Sequence, residues 1–310
     1  MPSLPFKTAL PELPDLMLGT MHFGDRAENR SADIQLMHQA IEAGVGLHTS
    51  VVYQDGRTVE VVGAALRNAP VAAPVLMGKV YCDDAGRIRT CVETYLRVLG
   101  LDRLPVAQLA KNDHRRREVV DDILSEGPMY EVLCELTATG KVGHWSFEIF
   151  QKYEPDALTA LNNDLFGSAT FYFNALEREA GNVPWERIRE KRLPVIAMRA
   201  LSGGLVDPGN AHQAGKPGKP AHMVDRRTEL EDVFAESGCA SWPELSVRYL
   251  KSQPAVRSLV IGTRKPDRLA ANTDLVRAAE PLPDDLVRRI DARQAAWAAA
   301  RTFDPESPWG

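Results

Sequence analysis

The chain has 310 residues, of which 44% are apolar and 25% charged, and its formal net charge at pH 7 is −5. This composition is typical of a globular protein, no apolar run is long enough to span a bilayer, and no basic surface for nucleic acid is indicated. We therefore expect a cytoplasmic protein that acts on a small molecule, as a monomer or a weak homodimer.

Eight short apolar runs of strand length recur along the chain: DLMLGTM, VGLHTS, PVLMGKV, LPVAQLA, KVGHWSF, LFGSATFYF, RLPVIAM and VRSLVIG. The segments between them place apolar residues at i, i+3, i+4 and i+7, and several end in glycine, as helices often do. A strand followed by a helix, repeated eight times, predicts a (β/α)₈ TIM barrel, an α/β fold, over residues 1–310 as one domain.

A doubly wound sheet is the competing architecture, but the segment LGTMHFGDRAENR lacks the glycine pattern of its first turn. Residues 199–226 are rich in Gly, Pro, Lys and His and have no apolar period, which predicts a long lid-like loop. After the eighth strand, RLAANTDLVRAA and PDDLVRRIDARQAAWAAA predict a C-terminal helical extension.

Four cysteines, Cys82, Cys91, Cys134 and Cys239, are scattered through the chain. Their spacing forms neither a CxxC pair nor a metal-binding motif. We expect reduced thiols that serve as small apolar side chains, and no metal site.

In barrels of this kind the catalytic groups lie at the carboxyl ends of the strands and in the loops that follow. His48 ends the second predicted strand, Tyr53 lies in the next loop and Lys79 ends the third strand. An ammonium near a phenol favours the phenolate, so Tyr53 and Lys79 together could donate a proton to a carbonyl oxygen. His144, on the fifth predicted strand, is interpreted as structural.

A second candidate site follows the eighth strand, where the turn into a helix carries Thr263, Arg264, Lys265 and Arg268. Arginines at a helix N-terminus favour phosphate, although a solvated basic helix start has the same sequence. The glycines of Ser202–Gly204 could allow close approach of the backbone to a pyrophosphate.

Taken in order, these segments resemble the aldo-keto reductases over most of the chain. The resemblance rests on LMLGTMHFG, GRTVEVVGAAL, LRVLGLDRLPVAQL, GKVGHWSF, FNALERE, LPVIAMRALSGGL and SLVIGTRKPDRLAAN. It implies a barrel that binds NADPH or NADP⁺ across its mouth and reduces aldehydes and ketones or oxidises alcohols.

The resemblance also implies a catalytic tetrad of Asp, Tyr, Lys and His, of which only part is present. Tyr53 and Lys79 match the tyrosine and the lysine, whereas His48 stands at the aspartate position and Ala110 at the histidine position. We expect that Lys79 lacks a carboxylate partner, and that Tyr53 is for this reason a weaker acid catalyst poised nearer neutral pH.

The positions that the resemblance assigns to the cofactor are also only partly typical. Glu148 and Ile149 replace a Ser-Asn pair, Thr170 a glutamine and Met198 an aromatic residue, while Arg268 and Asn272 match the adenosine-phosphate site. The cofactor-binding residues implied in this way are Gly19, Thr20, Met21, Thr170, Met198, Arg199, Leu201, Gly203, Gly262, Thr263, Arg264, Arg268 and Asn272.

Three functions remain open from the sequence. The first is an NADPH-dependent oxidoreductase acting on the carbonyl or alcohol group of a small molecule, with Tyr53, Lys79 and His48 as catalytic residues. The second is a non-redox tailoring enzyme, a lyase, isomerase or cyclase, in which His48 and Tyr53 act as base and acid. The third is a catalytically inactive, NADPH-binding regulatory barrel.

Overall fold

The computed structural model describes residues 4–71, 75–110, 116–217 and 219–301, and its centre is a closed barrel of eight parallel strands. The strands are β1 (Leu16–Gly19), β2 (Gly46–Ser50), β3 (Leu76–Tyr81), β4 (Val106–Ala110), β5 (Trp145–Glu148), β6 (Ala169–Asn174), β8 (Val195–Met198) and β9 (Val256–Gly262), with the short β7 (Glu177–Arg178) antiparallel to β6. Neighbouring strands pair in the order β5-β4-β3-β2-β1-β9-β8-β6, and β5 pairs with β6 to close the ring.

Helices cover the outside of the barrel. They are α1 (Arg30–Glu42), α2 (Arg57–Arg67), α3 (Ala85–Leu99), α4 (Arg116–Leu124), α5 (Pro128–Ala138), α6 (Glu154–Asn162), α7 (Asn182–Lys191), α8 (His222–Glu229), α9 (Glu231–Glu236), α10 (Trp242–Lys251), α11 (Pro266–Ala278) and α12 (Asp284–Ala300). Local sequence sets some of the ends: the Asp84 side chain accepts a hydrogen bond from the Arg87 amide at the start of α3, and Gly100, with φ of 69°, ends it.

Inside the barrel, the amino-terminal half is apolar. Its core consists of side chains from alternate positions of the strands, and Leu10 and Leu13 pack against them from the segment before β1. These core residues are Met17, Met77, Val106, Ile196 and Val260, and Met198, which ends β8, joins the same cluster from the carboxyl end. Because this end of the barrel is filled, the polar inward-facing groups lie at the carboxyl end.

The predicted TIM barrel is confirmed, since every predicted apolar run overlaps one barrel strand, and α11 and α12 form the predicted helical extension. The predicted loop over 199–226 is wrong at its end, where α8 begins at His222 because Met223 and Arg227 are buried on one face. All four cysteines are free thiols, as expected.

No helix among the described residues has the length and apolar character needed to cross a membrane. Within the same part of the chain, no group of His, Cys, Asp or Glu side chains is arranged to hold a metal ion.

Candidate functional site

Four polar side chains form a connected layer inside the barrel, just above the apolar core. His48 on β2, Lys79 on β3, Gln108 on β4 and Glu148 on β5 all occupy the inward positions of their strands, and all are buried. Alternation along each strand places them on the same side of the sheet as the core methionines. The layer therefore separates the apolar half of the barrel from its mouth.

Lys79 has a buried carboxylate partner in this layer. Its Nζ lies 3.3 Å from Glu148 Oε1, which also accepts a 2.8 Å hydrogen bond from Gln108 Nε2. Burial, the largest single effect, lowers the pKa of Lys79, but the Glu148 carboxylate and the neighbouring tyrosines together outweigh it, so the pKa is raised well above its ordinary value. The expectation that Lys79 lacks a carboxylate is therefore wrong: the partner comes from β5 instead of β2.

His48 is linked to the same pair through Gln108. Its Nε2 lies 2.8 Å from Gln108 Oε1, and because the amide nitrogen of Gln108 faces Glu148, the imidazole nitrogen is the donor. Burial and the positive charge of Lys79 lower the pKa of His48 from 6.5 to about 4. At neutral pH His48 is thus an uncharged hydrogen-bond donor that orients Gln108.

Tyr53 lies at the mouth, beside Lys79. It is half-buried at the start of a 3₁₀ helix, Tyr53–Gly56, and it is close enough to Lys79 for their charges to interact. The next two residues, Gln54 and Asp55, have φ of 51° and 55°, and the Gln54 side-chain amide donates to the Met21 carbonyl. Two successive non-glycine residues in the left-handed region are unusual, and such strain is typical of functional loops.

Two further tyrosines, Tyr81 and Tyr172, lie near Lys79. Tyr81 on β3 lies opposite Ala110 in the register of β3 and β4, and its hydroxyl is 3.0 Å from Ser50 Oγ. Tyr172 on β6 lies opposite Met198, and burial raises its pKa to about 12. Both phenols therefore remain neutral at physiological pH.

The loop after β8 carries polar atoms that have no hydrogen-bond partner. Arg199 Nε and Nη2 and Ser202 Oγ are buried and unpartnered, although Arg199 Nε lies 3.9 Å from a carboxylate oxygen of Glu177. The Arg199 guanidinium stacks 4.9 Å from the centre of the Tyr172 ring. Arg199, Ser202, Gly203 and Gly204 all have positive φ, so the loop is tightly curved with unused donors.

Lysines from the lid segment add positive charge above this loop. Lys219 is half-buried and its ammonium donates to Gln213 Oε1. Burial, together with repulsion from Lys216 and Arg199, lowers the pKa of Lys219. Arg199, Lys216 and Lys219 thus place three positive charges close together, beside the Arg199 and Ser202 atoms that have no hydrogen-bond partner. This arrangement fits an anionic ligand such as a pyrophosphate.

The predicted adenosine-phosphate residues lie after β9. Arg268 and Asn272 are one turn apart on α11, with Arg268 exposed and Asn272 half-buried. Arg264 instead forms ion pairs with Asp25, at 2.8 Å, and with the buried Asp33, at 3.0 Å. These pairs tie the loop after β1, through Asp25, and helix α1, through Asp33, to the loop after β9.

The other predicted cofactor residues divide between the mouth and the layers around it. Gly19 and Gly262 lie opposite each other on β1 and β9, and Met21 is exposed just beyond. The remaining ones have contacts within the protein: the Thr20 hydroxyl donates to the His48 carbonyl, the Thr170 hydroxyl pairs with Ser146, the Thr263 hydroxyl accepts from the Lys265 amide, Met198 Sδ accepts from Gln108 Nε2 at 3.5 Å, and Leu201 packs on the outer core.

Two residues discussed from the sequence lie away from the mouth. Ile149 is fully buried in the core between the barrel and the helices, so of the Glu148–Ile149 pair only Glu148 reaches the site. His144 Nε2 is 2.8 Å from Ser168 Oγ and its Nδ1 is 3.0 Å from the Thr8 carbonyl oxygen. The structural interpretation of His144 is confirmed.

Sequence reasoning missed Gln108, Tyr81 and Tyr172. The available signal was the two-residue period of the strands: Tyr81 is two residues beyond Lys79, and Tyr172 is two beyond Thr170. Each therefore shares the inward face with a residue already assigned to the mouth.

Comparison with known proteins places this geometry in a family. The model of the aldo/keto reductase family matches residues 15–295. An uncharacterized oxidoreductase, YqkF, of Bacillus subtilis is 22% identical over 288 residues, covering 86% of this chain and 88% of that protein.

Solved structures share the fold. An aldo-keto reductase from Klebsiella pneumoniae in complex with NADPH has a TM-score of 0.68 at 19% identity, over 93% of this chain and 95% of that one. A glycerol dehydrogenase from Gluconobacter oxydans has a TM-score of 0.71 at 21% identity, over 95% of both chains. With the family model spanning nearly all of the barrel, the chain belongs to the aldo/keto reductase family of oxidoreductases.

Proposed function

We propose that this protein is an NADPH-dependent oxidoreductase that reduces the carbonyl group of a small aldehyde or ketone, with Tyr53 as the proton donor. The observation that carries the proposal is the Lys79–Glu148 pair beside Tyr53 at the mouth of the barrel. Because β2 carries His48 where the family has an aspartate, Glu148 provides the buried carboxylate that holds the Lys79 ammonium in place.

The protein's part in the reaction is proton transfer and charge stabilisation. NADPH, when bound, supplies a hydride to the carbonyl carbon. Tyr53 donates its hydroxyl proton to the carbonyl oxygen, which becomes the alcohol, and the ammonium of Lys79 stabilises the phenolate left on Tyr53. Glu148 and Gln108 hold Lys79 in place, and His48 holds Gln108.

The residues around the mouth fit the cofactor at its charged end. The unpartnered atoms of Arg199 and Ser202 would hold the pyrophosphate, and Lys219 would close over it. Arg268 would bind the 2′-phosphate of the adenosine and Asn272 the adenine. Two structures of the same fold, solved with NADPH or with NADP and acetate, support binding of this cofactor.

The geometry favours reduction over the non-redox alternative. A general base at position 48 would need access to the substrate and a pKa near neutrality, whereas His48 is buried. His48 instead uses Nε2 as a donor to Gln108, and its pKa is lowered to about 4. We therefore assign His48 to positioning and not to base catalysis.

NADPH binding followed by fluorescence, and NADPH oxidation at 340 nm with a panel of aromatic and aliphatic aldehydes and ketones, test the proposal. We expect binding in the micromolar range and turnover that Tyr53→Phe abolishes without changing the affinity for NADPH. Tyr130→Phe is the matched control, because Tyr130 lies on α5 against Phe6, outside the barrel. Full activity in Tyr53→Phe, or no NADPH binding, would contradict the proposal.

A further inference from the structure

The carbonyl oxygen needs a second hydrogen bond that Tyr53 cannot supply alone. During hydride transfer this oxygen gains negative charge and has two lone pairs to satisfy, and donors fixed in advance at such an oxygen accelerate the reaction. The methyl group of Ala110, at the end of β4, provides none. A second donor must come from another strand.

We propose that the Tyr81 hydroxyl is this second donor, so that the substrate carbonyl oxygen binds between two tyrosines, Tyr53 and Tyr81. This inference rests on the proposed function and assigns Tyr81 as a catalytic residue for it. The substrate class is the same, a small aldehyde or ketone whose oxygen enters the mouth toward Lys79.

The position of Tyr81 supports this role. It follows Lys79 by two residues on the inward face of β3, toward the mouth, and it lies opposite Ala110 in the register of the two strands. Only 5% of it is exposed, and it lies close enough to Lys79 and Tyr53 for their charges to interact. Because alanine is the smallest side chain with a Cβ, the phenol faces a position that competes with it neither for space nor for hydrogen bonds.

The hydrogen bonds of Tyr81 allow its proton to face the substrate. The Val52 amide donates to Ser50 Oγ at 3.3 Å, and Ser50 Oγ lies 3.0 Å from the Tyr81 oxygen. When Ser50 donates its own proton to Tyr81, the Tyr81 hydroxyl proton remains available, and each bond of this chain strengthens the next. Burial raises the pKa of Tyr81, which keeps the proton on the oxygen.

The other buried phenols near Lys79 are less suited. The single hydroxyl proton of Tyr95 is shared between the Lys79 carbonyl, at 2.9 Å, and the Thr49 carbonyl, at 3.3 Å, and its oxygen accepts from the Val51 amide, so it is fully used in holding β2 and β3. Tyr172 lies on β6, opposite Met198 on β8, and its ring stacks against the Arg199 guanidinium. Tyr81 is the phenol that lies next to Ala110, on the neighbouring strand.

The test uses Tyr81→Phe, which keeps the ring and removes only the hydroxyl, with 4-nitrobenzaldehyde and NADPH as probes. We expect kcat to fall about 100-fold, as when one donor to a developing oxyanion is removed, with smaller changes in KM and none in NADPH affinity. In a Tyr81→Phe/Ala110→His double variant the imidazole replaces the donor, and we expect at least about a tenfold recovery of kcat.

Three results would overturn this role. A wild-type kcat in Tyr81→Phe, while Tyr53→Phe is inactive, removes Tyr81 from the reaction and leaves the proposed function standing. Loss of activity that Ala110→His does not restore, with shifted NMR signals from the other ring-labelled tyrosines, makes Tyr81 structural. Absence of any carbonyl reduction by the wild-type protein contradicts the proposed function, and the role of Tyr81 fails with it.

Discussion

The ammonium of Lys79 on β3 and the carboxylate of Glu148 on β5 lie 3.3 Å apart inside the barrel, although a whole strand separates their strands. The side chain of Gln108, on the strand between, bridges them by donating to the same carboxylate oxygen. Because the pair is buried, its two members depend on each other much more than the members of a surface ion pair do.

Replacing Glu148 with glutamine should therefore leave a buried ammonium without its counter-charge. We expect Glu148→Gln to lower the free energy of unfolding by about 3 kcal/mol and to reduce carbonyl turnover at least tenfold, because Lys79 then loses its fixed position and burial lowers its pKa. Urea unfolding and NADPH oxidation measure the two effects.

The matched control for that change is Glu135→Gln, which breaks the exposed pair between Glu135 and Arg89. We expect it to cost less than about 1 kcal/mol and to leave turnover unchanged. Equal effects of the two substitutions would show that the Lys79–Glu148 pair has no special role.

An aspartate at position 48 tests whether the carboxylate has moved from β2 to β5. His48→Asp alone should not raise activity, because Glu148 already pairs with Lys79 and a second carboxylate nearby would repel the first. In Glu148→Gln/His48→Asp we expect activity to recover at least in part relative to Glu148→Gln. A gain of activity in His48→Asp alone would mean that Glu148 does not serve Lys79 in the reaction.

Two buried histidines should make the protein sensitive to mild acid. Burial lowers the pKa of His48 and of His144 from 6.5 to about 4. Between these pH values the unfolded chain binds more protons than the folded one, so stability falls as the pH is lowered from about 6.5 toward 4. The loss is of the order of 3 kcal/mol for each histidine.

Urea unfolding at intervals from pH 7 to pH 4 measures this dependence. His48→Gln should make the fall in stability with pH shallower, and His144→Gln should do the same, because each removes one of the two buried histidines. An identical pH dependence in His48→Gln would show that His48 takes up protons equally in both states.

The barrel could be predicted from the sequence because each of its strands corresponds to a local apolar run bounded by turns. The pairing of Lys79 with Glu148 could not, since these residues are 69 positions apart and meet only because the closed sheet turns both side chains inward. The comparison of position 48 with the family's aspartate considered only β2 as the source of a carboxylate for Lys79. Inside a barrel, side chains from different strands reach the same volume, so a carboxylate on β5 can pair with Lys79 in place of one on β2.

The same convergence explains the mouth residues that sequence reasoning missed. Tyr81 and Tyr172 lie two positions beyond residues already assigned to the site, which a strict period of two along β3 and β6 would have found. The ion pairs of Arg264 join the loop after β9 to Asp25, in the loop after β1, and to Asp33, on α1, and only closure of the barrel brings these segments together.

Substitutions of Arg264 and of Arg268 should therefore have different effects, although the same sequence motif assigned both residues to the phosphate. Arg268 is exposed on α11, so Arg268→Ala should weaken NADPH binding about tenfold and leave NADH binding nearly unchanged, since only NADPH carries the 2′-phosphate. Arg264→Ala should instead lower stability by freeing the buried Asp33. Calorimetric titration with both cofactors and urea unfolding separate the two; equal loss of NADPH affinity without loss of stability would place Arg264 on the phosphate.

Binding at the pyrophosphate end should depend on the cations of the lid. Arg199→Ala removes buried, unpartnered donors and should weaken NADPH and NADH alike, by at least tenfold, and Lys219→Ala should do so by a few-fold. Both losses should shrink in high salt, because screening weakens the more exposed charge interactions. Lys191→Ala is the matched control, since Lys191 pairs with Asp164 beside the amino-terminal segment at the other end of the barrel. If Arg199→Ala bound both cofactors as tightly as Lys191→Ala does, the strained loop after β8 would have no part in holding the cofactor, and its unpartnered donors would need another ligand.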